Sequence, residues 1–561
     1  MIASPTTRFS ILMTLLLSCA LSATVASVQD GNDFSSLEIS ATQDLRDRSQ
    51  VVKCGTSALL ELKFEAQRNP LAAAAYARLI IRPELPFAHV TPDQRFRIHF
   101  ATEGTHAVDA TSTIIPGVPD FVYHAGIALM RAHVLLIDSL GFDPPASDAG
   151  VDGPEIDAYI MDLINNYGET VPEFDGHRGP AYLRLENDFV GPFFTHGVEA
   201  VRVSAAHEYF HAVQFNIYSR FEDIFFFETS STWFEDFAYD EVNDYLGYLP
   251  AYFRTLFLPL NTRNRSHEYG NAIWLHYLVK RFDIEIIRQL WEQIETLPAL
   301  LANDSALESR GLSLGEAFSE FGLWMYFTGY RADTTRYFPE GASYPLVRFD
   351  RREDVQPSVS FADSIPNLAT RFYRLVNFSE QMTARHFSDE PGRWTLTSID
   401  GNHQDGYNVQ KADGGAALCV QNISASDTVA VIVSNVSLPS SATLPYYLIP
   451  DFRYSLQAGG GCFATASRLL SPRPNPFIPG AGDELSLPVY LQSPSQLKLF
   501  VVREDGRLVR RLDLGLRSAG GQQIIWDGRD DGGAWAASGI YILQVIAGDF
   551  QQAAKVAVIH P

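Results

Sequence analysis

Residues 201–236 read VRVSAAHEYFHAVQFNIYSRFEDIFFFETSSTWFED, and the spacing inside this stretch decides how the chain is read. Val203, Ala206, Phe210, Val213 and Ile217 recur at steps of three and four, an apolar stripe of helical period. Ser204, His207, His211 and Gln214 form the neighbouring stripe. The spacing therefore predicts an amphipathic helix with its polar residues beside the buried edge. His207 and His211 are one helical turn apart, so both imidazoles reach one point in space. Glu208 lies one step round from His207, where its carboxylate can meet a water at that point.

His-Glu-x-x-His on a helix is the arrangement of a zinc-binding pair with a general base. At this chain's His and Glu content the pattern arises by chance roughly 0.02 times, so the match is specific. Two histidines need a third protein ligand, with a fourth position left for water. An extension with Gly at 214 and His at 217 is absent, since Gln214 and Ile217 stand there. The expected third ligand is Glu228, which opens the segment ETSSTWFEDFAYDEV after a stretch long enough to end one helix and enter another. Glu235, on the same helical face, is its competitor. A solvated acidic face is the ordinary alternative for both.

HEYFHAVQ followed by E-x-x-x-x-W-x-E-D resembles a family of secreted bacterial zinc metalloproteases of gluzincin type, over roughly residues 50–340. FRIHF, GVPDFV and YLRLENDF recur in the same order in that family. The chain departs from it at Thr229, Ser230 and Ser231. In thermolysin-like enzymes an Asp four residues after the ligand Glu orients a zinc histidine; Thr232 stands at that position here, so the support for that histidine must be built differently. The resemblance implies peptidase activity, with zinc on His207, His211 and Glu228 and with Glu208 as the base that activates water. YGNAIWLHYL, residues 269–278, resembles a helix that follows the zinc helices in many gluzincins. Tyr269 and His267 are the candidates for donating to the oxyanion; a core aromatic is the plainer reading of Tyr269.

The 561 residues of the chain allow several domains, and the net charge of −23 argues against nucleic-acid partners. Residues 1–27 read as a signal peptide: Arg8, then an apolar run from Ile11 to Ala23 too short for a membrane span, then Val25-Ala26-Ser27. A lipobox ending at Cys19 is a second reading. Residues 28–90 read as a propeptide or an N-terminal brace with helices over 57–67 and 71–79. Cys54 reads as a small buried hydrophobe, with capping of the zinc in a latent precursor as the other reading. Cys419 and Cys462 are candidates for a disulfide.

Residues 91–340 read as the α+β metallopeptidase domain. Strands are expected at Phe96–Ala101, Ile156–Leu163 and Tyr182–Leu185, with a long helix at Pro119–Leu140 and helices from Glu228 to Tyr330. The edge of its sheet would bind an extended peptide. Residues 341–465 read as a β-sandwich. Residues 466–561 read as a second sandwich, with a hairpin at Asp505-Gly506. Trp526-Asp527-Gly528 and Gly539-Ile540-Tyr541 resemble motifs of the immunoglobulin-like module of flagellar hook-assembly proteins and of C-terminal sorting domains. That resemblance implies sorting or attachment to a surface or secretion machinery. DGRDDGG reads as a turn, because the spacing of a calcium loop is missing. The expectation is a multidomain, secreted or surface-located zinc peptidase acting on peptide or protein substrates. The alternative is a catalytically inactive adhesion protein on a peptidase-like scaffold.

Overall fold

The computed structural model describes residues 52–559, except 357, 379–380, 389–391, 405, 414–416, 422–427, 440–448, 450, 461–466, 481–483, 492–494 and 518–519. The expected signal peptide and Cys462 lie outside the described residues. The chain divides into two units. The first holds the described residues to Tyr252 and Asn261–Gly311; the second holds Phe253–Leu260 and the described residues from Leu312 onward.

The first unit is built on a mixed sheet in the order β1-β5-β6-β4-β3-β2. Its strands are β1 (Val52–Cys54), β2 (Phe87–Val90), β3 (Phe96–Phe100), β4 (Ile156–Ile160), β5 (Asn166–Pro172) and β6 (Ala181–Leu185). β1 runs parallel to β5, with Cys54 opposite Gly168, and β5 runs antiparallel to β6. Helices α1 (Thr56–Ala66) and α2 (Pro70–Leu79) follow β1. Residues 52–90 are thus part of this fold, as a strand, two helices and a second strand. Helix α3 (Asp120–His133) continues through a π-helical turn, Val134–Ser139. It is long and apolar enough to cross a membrane by composition alone, and it packs on β3 and on the helix that follows the sheet.

That helix, α4 (Gly197–Ile217), carries His207, Glu208 and His211. The expected amphipathic character is not what forms. Ala200, Val201 and every residue from Val203 to Phe215 are buried. β5 and β6 cover one side of α4, and α3 and α5 (Ile224–Ala238) cover others, so no face is left for water. Polar residues on its ligand stripe are held by partners inside the protein instead. Short helices α6 (Leu249–Tyr252) and α7 (His267–Gly270) lead to α8 (Ala272–Arg281), α9 (Glu285–Ile294) and α10 (Ala299–Glu308).

In the second unit, helix α11 (Leu314–Tyr326) lies against a strand of the sandwich, with Ser319 hydrogen-bonded to Thr395. Residues 312–340, which the sequence assigns to the metallopeptidase domain, fall in the β-rich unit. The strands β7 (Arg351–Asp354), β8 (Ser358–Ile365), β9 (Ala369–Val376), β10 (Gln381–Phe387), β11 (Trp394–Asn402), β12 (Gly406–Asp413), β13 (Ala417–Gln421), β14 (Val429–Asn435) and β15 (Phe452–Gly460) form two sheets. Their orders are β13-β10-β15-β8 and β12-β11-β14-β9-β7, and they enclose one core of Tyr373, Val431, Leu456 and their neighbours. Cys419 on β13 is disulfide-bonded. The C-terminal strands are β16 (Arg468–Leu469), β17 (Leu485–Leu491), β18 (Ser495–Arg503), β19 (Leu508–Arg517), β20 (Gly520–Trp526), β21 (Gly539–Ala547) and β22 (Phe550–Val558). They form two further sheets, β16-β17-β20 and β19-β18-β21-β22, around Trp526, Leu499 and Val545. The hairpin falls at Asp505-Gly506, between β18 (Ser495–Arg503) and β19 (Leu508–Arg517). In DGRDDGG the Asp530 carboxylate accepts from the amides of Gly532 and Ala534, which is a turn closed on its own backbone.

Gly168 decides how closely β5 approaches α4. A Cβ there would lie 2.8 Å from Glu208 Cγ and 3.1 Å from the Arg184 carbonyl oxygen. Gly168→Ala should destabilise the protein by about 1–3 kcal/mol through overpacking, outweighing the ~0.4–1 kcal/mol gained from a stiffer unfolded chain. The midpoint of urea unfolding checks this, and a rise in the midpoint would contradict the close approach.

Candidate metal centre

Helix α4 presents His207 and His211 on one face, and α5 brings Glu228 against them. His207 Nε2 is 3.0 Å from His211 Nε2 and 3.1 Å from Glu228 Oε2; His211 Nε2 is 3.6 Å from that oxygen. A fourth donor completes the group. Cys54 Sγ, at the end of β1, is 3.4 Å from His211 Nε2, and all four donor atoms lie within 4.8 Å of one another. A tetrahedral zinc with bonds of ~2.0 Å to N and O and ~2.3 Å to S would have edges of about 3.3–3.5 Å. The spacings of 3.0, 3.1, 3.4 and 3.6 Å lie close to those edges. Imidazole, carboxylate and thiolate are each donors that zinc binds.

Each histidine is oriented by a partner on its other nitrogen. Glu235 Oε1 is 2.6 Å from His207 Nδ1, and Gln214 Oε1 is 2.8 Å from His211 Nδ1. Glu228 faces His207 Nε2 among the donors, and Glu235 faces Nδ1 behind the ring. Glu235 supplies what the residue at 232 cannot; the Thr232 hydroxyl is buried with no partner among the described residues. Behind Glu235 stands Lys53, whose Nζ donates to Glu235 Oε2 at 2.7 Å and to Asp244 Oδ2 at 2.5 Å and lies over the Tyr167 ring.

Acidic side chains outnumber fixed positive charges around the donors. Glu208, Glu228, Glu235 and Asp244 are all buried, and Lys53 is the fixed positive charge among them. Burial raises the Glu208 carboxyl and, with help from Glu208 and Glu228, the Cys54 thiol. Burial acts to raise Glu228 too, but His211 and His207 outweigh it and hold its carboxyl well below the ordinary range. His207 is pushed up to about 10, because Glu228 and Glu235 outweigh the effect of burial. Glu228 and Glu235 thus favour the protonated form of His207. A dication would replace that proton and favour the thiolate.

The Glu208 carboxylate, beside the donors, accepts from Thr170 Oγ1 at 2.7 Å and from Thr56 Oγ1 at 3.2 Å. Ser57 Oγ donates to Glu228 Oε1 at 2.5 Å. Tyr269 packs with Tyr248 against Cys54, as the sequence placed it near the site. Tyr248, not anticipated, has a buried hydroxyl without a partner among the described residues. His267 lies outside the donor group, with its ring against Tyr252. Lys53, Thr56, Ser57 and Thr170 were missed because each is an ordinary polar residue until the fold brings β1 and β5 to α4. Gln214 could have been found, standing one turn from His211 on the same stripe.

Residues 478–549 match the FlgD Ig-like domain family, so the C-terminal part of this chain is an immunoglobulin-like module. Among curated proteins nothing matches. Solved structures with some likeness include FlgD from P. aeruginosa, at 20% identity over 16% of this chain and 72% of that one, with a TM-score of 0.13. PorZ, a surface component of the type-IX secretion system of Porphyromonas gingivalis, gives 20% identity over 18% and 14%, with a TM-score of 0.14. Dimeric latent PorU from the same organism gives 13% identity over 38% and 19%, with a TM-score of 0.16. The chain thus spans about a seventh of the length of PorZ.

The two acids of α5 should separate in a metal-affinity measurement. Glu235→Gln should weaken zinc binding by ~10–100-fold by disturbing the support of His207. Glu228→Gln should abolish stoichiometric zinc. Competition with a fluorescent chelator reads both, and equal effects would mean that the assignment of ligand and support is wrong.

Proposed function

We propose that the first unit is a zinc-dependent peptidase centre that hydrolyses peptide bonds, with His207, His211 and Glu228 holding the metal. The observation that supports this best is the convergence of those three donors beside a buried carboxylate, Glu208, that a purely structural site would not need. Zinc held there would supply Lewis acidity and a water acidified toward neutral pH. Glu208 is the residue that would take the proton of the attacking water and return it to the leaving amine. Its burial suits it to hold a proton between those steps, and the hydroxyl of Thr170 fixes its orientation. Glu235 and Gln214 keep the imidazoles aimed. Tyr269 and Tyr248, packed against Cys54, are the hydroxyls assigned here to donate to an oxyanion.

The immunoglobulin-like module supports attachment of the protein to a surface or to secretion machinery. This fits a secreted or surface location and a substrate met outside the cell. Its match to the FlgD Ig-like domain family supports that reading.

One observation favours a second reading. Four protein donors, none more than 3% exposed, are what a closed structural zinc site shows. On that reading the protein is a catalytically inactive surface or adhesion protein. Glu208→Gln separates the two. On the peptidase reading a chain carrying Cys54→Ala cleaves denatured casein, and adding Glu208→Gln to it keeps about one zinc per chain and lowers cleavage by ~100-fold or more. Zinc in both proteins, with no cleavage by Cys54→Ala, would favour the structural reading.

A further inference from the structure

We propose that residues 52–57 are an intramolecular plug: Cys54 Sγ is the fourth ligand of the zinc, and the rest of the segment covers the base and the substrate edge. This rests on the reading of His207, His211 and Glu228 as metal ligands, and it adds how that site is kept shut.

Consecutive side chains of one short segment each engage a different part of the centre. Cys54 Sγ meets His211 Nε2 at 3.4 Å. Thr56 Oγ1 donates to Glu208 at 3.2 Å, and Ser57 Oγ donates to the free oxygen of Glu228 at 2.5 Å. β1 adds to the β5 edge, with the Gly55 amide donating to the Gly168 carbonyl and the Thr170 amide donating to Thr56 Oγ1. An extended peptide approaching Glu208 would use that same edge. Gly55 permits the fit: a Cβ there would lie 2.4 Å from Glu169 Oε2 and 2.7 Å from Asn166 Nδ2. Lys53, buried between Glu235 and Asp244, anchors the segment next to Cys54. The result is a centre in which Cys54, His207, Glu208, His211 and Glu228 are each 3% exposed or less. No substrate reaches Glu208 while β1 is seated.

A site whose purpose was only structural would gain from the thiol and nothing from Thr56 on a carboxylate that ligates no metal. The segment covers both. When the plug seats, the Cys54 thiol gives its proton to solvent and the sulfur forms a bond to the metal. When it leaves, that bond breaks, the sulfur takes a proton back, and water from solvent fills the place. No oxidant or reductant is required. Cys54 is the free cysteine among the described residues, as this exchange needs.

The test uses the purified chain loaded with Co(II). Wild type should show a sulfur-to-cobalt charge-transfer band in the near ultraviolet, and Cys54→Ala should lose it while still binding Co(II). Acetohydroxamate should shift the visible cobalt spectrum of Cys54→Ala and leave that of wild type unchanged over the same concentrations. Gly55→Val, which keeps the thiol but cannot seat on β5, should admit acetohydroxamate as Cys54→Ala does, and it serves if Cys54→Ala fails to fold. A wild-type spectrum without the sulfur band, or equal responses of wild type and variants to acetohydroxamate, overturns the plug. The peptidase reading fails separately: a zinc-loaded variant that admits acetohydroxamate yet cleaves no denatured casein leaves the plug standing and removes the hydrolytic function. Co(II) binding that survives His207→Ala removes both.

Discussion

Buried charge is the constraint around which the first unit is arranged. Four carboxylates, those of Glu208, Glu228, Glu235 and Asp244, sit out of water with Lys53 as their fixed counter-charge. An isolated buried carboxylate would cost several kcal/mol. Each of these acids therefore has a directed partner: imidazoles for Glu228, an imidazole and Lys53 for Glu235, Lys53 and a tyrosine for Asp244, threonines for Glu208. The proposed dication at the donor cluster would offset the remaining negative charge. The close packing of α4 under β5 and β6 follows, because a water-filled cleft there would dissolve the arrangement that orients the histidines.

The same constraint gives β1 its importance. It is a three-residue strand, yet it delivers the counter-charge of Glu235 and Asp244 and the fourth donor side by side. Lys53 and Cys54 point to opposite faces along a strand in principle; here the turn into α1 at Gly55 brings the sulfur onto the donors while Lys53 reaches behind them. Removing the segment would thus unbalance the support of His207 as well as free a coordination position. A centre built this way couples its electrostatics to the seating of its N-terminal strand. The sheets of the second unit enclose apolar cores, and its recognisable part is the immunoglobulin-like module.

Much of the helical architecture was legible. The periods of three and four around His207 gave the right helix, and Pro70, the run near 120 and the strands at 96 and 181 stood out by ordinary signals. β5 was not legible, because NYGETVP carries Asn, Gly and Pro and reads as a loop. Its strand character comes from pairing with β6 on one side and β1 on the other. The amphipathic reading of α4 failed for a related reason. A polar stripe looks solvent-facing in a sequence, and only packing shows that its partners are other buried polar groups.

By itself the sequence determined which residues could bind a metal and on what element they lie: His207 and His211 are neighbours on any helix, and Glu228 and Glu235 share a face of the next. Helical geometry is local, so it needs no fold to be read. Which of the two glutamates meets Nε2 and which meets Nδ1 was decided only by the crossing of α5 over α4. That Cys54, more than 150 positions away from His211, is the fourth donor was decided only by the addition of β1 to β5. Strand pairing of that range depends on backbone hydrogen bonds that no side-chain pattern encodes, so this part of the centre exists only in the folded chain.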